Sequence, residues 1–174
     1  FQPRCALEEL DSGTVRLDTI VRIIRSCRLA VHDLSRVELS GRHSLPRFNM
    51  PFELGLDVGC RRFGHRQFKE KRILILDSKR YRYQAFISDI SGQNIHTHNN
   101  VPDNVIRRVR DWLRVNSRWS LLPGQRHIAR SFRAFTNSLP DYCYETGLDR
   151  RDLLFIDYVR LAQIWIETET AAAV

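Results

Sequence analysis

Two side chains four residues apart, Asn49 and Glu53, stand at the start of a stretch with helical patterning and would project from one face of that helix. A glutamate in a first turn is stabilised as an anion by the helix dipole and the unpaired N–H groups there. A second carboxylate, Asp33, closes a short apolar run, and a third, Asp77, closes another. Groups of this kind suit cleavage of an N-glycosidic bond. The ribosyl carbon gains oxocarbenium character, and a carboxylate beside it either bonds to it or stabilises its charge. Glu53 would take that part, while Asp33 and Asn49 would hold the sugar or handle a proton. Ser35 lies close to Asp33 in sequence, Arg47 stands ahead of the helix where it could meet a phosphate, and Tyr81 or Tyr83 could cover a base. Each residue also has a plainer reading: Glu53 as a dipole partner, Asn49 as a cap, Asp33 as the cap of the loop that follows it.

Other chemistries find less support. His32, His43, His65, His96 and His98 show no metal-ligand spacing tied to a carboxylate, and the alternating pair His96 and His98 does not make a site by itself. No glycine-rich phosphate loop is present. No metal or resident cofactor is implied; NAD or a nucleotide would enter only as substrate. The four cysteines are far apart without any C-x-x-C pair, which speaks against zinc or a disulfide framework and suits a reducing compartment.

The elements that must position these residues follow from periodicity. Leu17, Ile20, Val21, Ile24 and Cys27 share one helical face over Thr14 to Arg28, after a turn at Asp11-Ser12-Gly13. Leu29-Ala30-Val31 reads as a buried strand ending in His32-Asp33. Leu34 to Phe48 lacks periodicity and reads as a long loop. The next helix begins near Asn49, with Pro51 in its first turn and Phe52, Leu56, Cys60 and Phe63 expected on its buried side. Arg72-Ile73-Leu74-Ile75-Leu76-Asp77 is the clearest strand, apolar enough for burial on both faces as in a parallel sheet. Tyr81 to Ile90 reads as a short helix, Asn94 to Thr97 as a weak strand, and Pro102 opens a well-patterned helix. This alternation predicts a wound α/β sheet with ligands beyond the carboxyl ends of its strands. After Asn116 only helices are expected, with stripes Ile128, Phe132, Phe135, Leu139 and Phe155, Val159, Ala162, Trp165. The reading divides the chain into residues 1–116, the α/β domain, and 117–174, a C-terminal helical extension. Since its first element is a helix, the usual first strand of such a sheet is expected ahead of Phe1.

Composition bounds the class. The chain has 174 residues and a hydrophobic fraction of 43%, sufficient for a sizeable core. No apolar run approaches bilayer length, so no membrane partner is expected and the cytoplasm is the expected location. Its 28 Lys+Arg against 20 Asp+Glu leave a net charge of +8, which favours anionic partners. Arg61, Arg62, Arg66, Lys69, Lys71 and Arg72 form a local basic cluster that could bind nucleic acid, although no aromatic stripe accompanies it.

The stretch Leu29-Ala30-Val31-His32-Asp33-Leu34-Ser35, followed by Asn49-Met50-Pro51-Phe52-Glu53-Leu54-Gly55-Leu56 and by Arg72-Ile73-Leu74-Ile75-Leu76, resembles the nucleoside 2-deoxyribosyltransferase-like and TIR-like group. More specifically, the chain resembles a widespread class of uncharacterised bacterial proteins carrying the Asn-Met-Pro-Phe-Glu-Leu-Gly and Ser88-Asp89-Ile90-Ser91-Gly92 segments. The resemblance covers roughly residues 14 to 115. It implies a flavodoxin-like sheet and a ribosyl site in which Glu53 is the nucleophile and Asp33 orients sugar or base. It also implies a setting in antiviral defence or signalling. The function expected is thus an N-glycoside hydrolase or transferase acting on a nucleotide, NAD or a nucleoside. The alternative is a non-catalytic nucleotide-sensing or protein-interaction module, assembling as a homo-oligomer through its helical tail.

Overall fold

The computed structural model describes residues 1–37, 39–40, 45–118 and 121–172. In chain order the regular elements are α1 (Arg16–Ser26), β1 (Leu29–Asp33), the two-residue strands β2 (Leu39–Ser40) and β3 (Leu45–Pro46), α2 (Asn49–Phe63), β4 (Arg72–Asp77), β5 (Ile95–Thr97), α3 (Pro102–Asn116), α4 (Gln125–Thr146) and α5 (Phe155–Ala172). Short 3-10 turns at Leu34–Arg36, Arg66–Glu70, Arg82–Ala85 and Ser88–Ile90 join them. Two compact units result. One is Ile20–Gln125; the other combines both ends of the chain, Phe1–Thr19 with Arg126–Val174, where the sequence reading drew a single boundary after residue 116.

The first unit is an α/β fold on a three-stranded parallel sheet of order β1-β4-β5, consistent with a flavodoxin-like wound sheet. β4 is central because its run is apolar on both faces: Leu74, Ile75 and Leu76 are all buried, and it pairs from Leu29↔Arg72 to Asp33↔Leu76 on one side. Each such side chain removed from water contributes about 1.5–3 kcal/mol. Leu34, Leu54, Ile75 and Tyr83 form the core cluster, with Met50, Val58, Ile73, Phe86, Ile87, Ile90 and Ile95 packed against it. β1 and β4 run parallel, so α2 must carry the chain back between them, and its first residues lie at the carboxyl edge of the sheet. α3 begins as its sequence requires, with Pro102 at the first helical position, Asp103 in the first turn and Arg114 in the last.

Several expectations are corrected. The segment after β1 is not an unstructured loop: it makes a 3-10 turn and then the antiparallel pair β2–β3, while residues 38 and 41–44, His43 included, lie outside the described residues. Tyr81 to Ile90 forms two 3-10 turns instead of one helix. The buried side of α2 is Pro51, Leu54 and Asp57, not the Phe52–Phe63 stripe; Phe52 is exposed and Phe63 is 89% exposed. A polar residue can occupy the inward face because its partners are also inside. Asp57 is fully buried, with Lys71 Nζ 3.1 Å from Oδ1 and His32 Nε2 3.0 Å from Oδ2.

In the second unit, Phe135, Leu139, Cys143, Leu161 and Trp165 form the core. Phe135 meets Tyr158 edge-on with ring centroids 5.4 Å apart. The inward stripe of α4 is therefore Ala129, Phe135, Leu139 and Cys143, and Phe132 stays exposed. No helix among the described residues is long and apolar enough to cross a membrane.

Candidate active site

The carboxyl edge of the sheet gathers a polar assembly from three loops. Asp33 ends β1 and caps the turn that follows: the Ser35 backbone N–H donates to Asp33 Oδ1 at 2.9 Å. The same oxygen lies 3.3 Å from His98 Nε2, a residue just beyond β5. The tautomer of His98 follows from its other nitrogen. The Asn100 backbone N–H donates to Nδ1 at 3.1 Å, which leaves the ring proton on Nε2, facing Asp33. The His98 ring is buried, whereas the Asp33 side chain keeps 41% of its surface exposed.

The loops are stitched to one another. His98 N–H donates to Asp77 O at 3.1 Å and Asn99 N–H to Ser78 O at 3.0 Å, tying the loop after β5 to the loop after β4. Arg82 joins the loop after β4 to the one after β1: its Nε donates to Asp77 Oδ1 at 2.9 Å and its Nη2 to Leu34 O at 2.6 Å. Asp77 Oδ1 also accepts the Ser78 N–H at 2.6 Å. Asn104 Nδ2 donates to His98 O at 3.1 Å and holds the same loop from α3.

Backbone strain concentrates here as well. Among the described residues, the non-glycine residues with positive φ are Tyr81 (61°), Asn99 (56°) and Asn100 (58°), all in the two loops at this edge. Asparagine tolerates the left-handed region through local hydrogen bonds, but a tyrosine does not visit it without cost. Such residues persist where the surroundings over-determine them, commonly at sites of function.

The residues singled out from sequence fare differently. Asp33, Ser35 and Asp77 come together at this edge, with Ser35 buried and acting through its backbone. Asp77 is fully buried beneath Arg82, so its role is to anchor that arginine. Asn49 is the first residue of α2 and exposed, and the helix has no side-chain cap. Glu53 falls one turn further in and is half-buried; the first turn of α2 contains no acidic residue, so the expected dipole argument does not apply to it. Arg47 is exposed two residues before α2, and Tyr81 is exposed with Arg80 stacked over its ring at 4.7 Å. Tyr83 is part of the core and unavailable to a base.

Sequence reasoning weighed His98 only as a metal ligand and passed over Arg82. Both act across distances in the chain of 65 and 48 residues, which periodicity cannot reveal. The one available signal was position, since each follows a strand end. Among the described residues no group of three ligand-type side chains could hold a metal ion. His96, on β5, has its pKa pushed down, first by burial and then by the nearby Arg108 guanidinium.

One member of the basic cluster, Lys71, is inside the fold, while Arg61, Arg62, Arg66, Lys69 and Arg72 are exposed. Lys71 is only 2% exposed, its Nζ donating to Ile24 O at 2.6 Å and Cys27 O at 2.5 Å besides its pairing with Asp57. Lys69 donates to Arg62 O. In the other unit a cavity of about 480 Å³, lined by Leu7, Phe132, Leu139, Leu153, Phe155 and Tyr158 among others, contains no carboxylate. Compared with known proteins, the chain matches no family model, no curated protein and no solved structure.

Proposed function

We propose that the protein is an N-glycoside hydrolase or transferase that cleaves the base–ribose bond of a nucleotide, NAD or a nucleoside at the carboxyl edge of the parallel sheet. The observation that carries the reading is Asp33: a strand-end carboxylate, held through Oδ1 by the Ser35 N–H and His98 Nε2–H, yet with 41% of its side chain open to a ligand. A carboxylate fixed on one oxygen and open on the other can orient sugar hydroxyls or stabilise a developing oxocarbenium ion without reorganising. On this reading Glu53, in the second turn of α2, would attack or stabilise the anomeric carbon, and Asn49 would bind the sugar. Water or an acceptor base then takes the ribosyl group, giving hydrolysis or transfer.

A second reading, a nucleotide-binding or protein-interaction module without turnover, draws on the exposed aromatic residues Phe48, Phe52 and Phe63 along α2. One experiment separates the two. The protein is incubated with NAD, nucleotides and a nucleoside panel, and released base is followed by chromatography. Release that falls by a factor of about 100 or more in both Glu53→Gln and Asp33→Asn, each still folded by circular dichroism, supports catalysis. Saturable nucleotide binding without release supports the module.

A further inference from the structure

We infer that the ligand of this edge carries phosphate, so that a phosphorylated nucleotide and not a free nucleoside is its natural occupant; the inference rests on the reading of the edge as a ribosyl site. Three of the segments that reach the edge bring exposed cations. Arg36 follows β1, Arg47 precedes α2, and Lys79 and Arg80 follow β4. Among the described residues none of these four side chains makes a hydrogen bond or ion pair; Arg80 instead lies over the Tyr81 ring. Arg82, from the same loop, behaves differently, being committed to Asp77 and Leu34 O.

Two of the segments bearing these cations, those after β1 and β4, are tied in place. Leu34, two residues before Arg36, is bound by Arg82, and Ser78, next to Lys79, is bound to Asn99. Such positioning matters because the field of an exposed charge fades within about 8–10 Å at physiological salt. The open Asp33 carboxylate would repel a phosphate on its own, and the four cations offset it. A neutral nucleoside would gain nothing from them. Tyr81, about half exposed and held in the left-handed region, supplies an aromatic surface beside the cations, the pairing expected for a base joined to a phosphate.

The test compares binding of adenosine 5′-monophosphate with that of adenosine to the full chain by calorimetry, at 50 and 300 mM salt. The monophosphate is expected to bind more tightly, with affinity that falls as salt rises. Lys79→Glu with Arg80→Glu, and separately Arg36→Glu with Arg47→Glu, should weaken it by about 10- to 100-fold, the range for losing charged hydrogen bonds, and leave adenosine unaffected. Arg61→Glu with Arg62→Glu, exposed in the last turn of α2, should change neither. Equal binding of the two ligands, no binding of the monophosphate, or an equal loss in the Arg61/Arg62 variant overturns the inference. Salt-dependent binding of the monophosphate without base release leaves the inference standing and removes the glycosidase reading. Cleavage of adenosine but not of its monophosphate does the reverse.

Discussion

Replacing Lys71 with methionine should be among the most destabilising single changes in the sheet unit, and the size of the effect follows from its two hydrogen bonds and one ion pair. Lys71 Nζ donates to Ile24 O at 2.6 Å and to Cys27 O at 2.5 Å, and stands 3.1 Å from Asp57 Oδ1 as an ion pair. The first two are carbonyls at the end of α1, where helical partners have run out. Methionine fills nearly the same volume, so packing changes little and the loss is electrostatic. Asp57, fully buried, would keep only His32, and removing one partner of a buried pair costs about 3–5 kcal/mol. Water can reach the half-buried ends of α1 and take over part of the carbonyl loss, so about 4 kcal/mol is expected in all.

With a urea slope of about 2 kcal/mol/M, this moves the unfolding midpoint down by about 2 M. The assay is urea titration by far-ultraviolet circular dichroism, with amide exchange of Leu74 to Asp77 reporting the sheet directly. The double variant Lys71→Met with Asp57→Leu removes both charges and should cost less than the sum of the two singles by at least about 2 kcal/mol. A Lys71→Met cost below about 1 kcal/mol, or strict additivity in the double variant, would refute the claim that the buried pair holds α1, α2 and β4 together.

Two further outcomes follow from local geometry. Gly64→Ala would place a Cβ 2.3 Å from the Cys60 carbonyl oxygen and 2.8 Å from the Phe68 ring, so backbone must shift; a loss of about 2 kcal/mol or more, or roughly 4–8 °C in Tm, is expected by thermal unfolding. His96, whose pKa lies below its ordinary value of 6.5 in the folded protein, is protonated first in the unfolded chain as pH falls. Its contribution is therefore intact above about pH 6.5 and lost as pH drops from there toward the folded value. His96→Gln should flatten the fall in urea midpoint between pH 7.5 and pH 5, and an unchanged slope counts against it.

The strand framework was legible because it rests on local pattern. Ile73-Leu74-Ile75-Leu76 could only be a strand buried on both faces, and Pro51 marked the start of α2 to within two residues. The inward face of α2 was not legible. Counting apolar residues chose Phe52, Leu56 and Phe63, whereas the fold turned Asp57 inward, since Lys71 and His32 wait there with opposite charge and a hydrogen bond. Lys71 was misread for the same reason: a lysine in a run of basic residues gives no local sign that its ammonium is buried. β2 and β3 are two residues each, too short for alternation to register. Of the polar edge, Asp33 was found by its place at a strand end, but its link to His98 exists only once β4 sets β1 and β5 on either side of itself.

These two polar assemblies argue for where chemistry belongs. The one around Lys71 is buried: its ammonium holds two carbonyls and pairs with Asp57, Asp57 is out of reach of solvent, and the result joins elements without offering anything to a ligand. The other assembly is open to solvent. At the carboxyl edge Asp33 stays open; among the described residues Arg36, Arg47 and Lys79 make no hydrogen bond or ion pair and Arg80 lies only over the Tyr81 ring, and the left-handed non-glycine residues collect in the adjoining loops. Folding alone gives no reason to hold a tyrosine at φ 61° beside an incompletely satisfied carboxylate. A ligand that takes the open oxygen and the cations together would give one; on the proposed reading it is a single molecule with both sugar hydroxyls and negative charge.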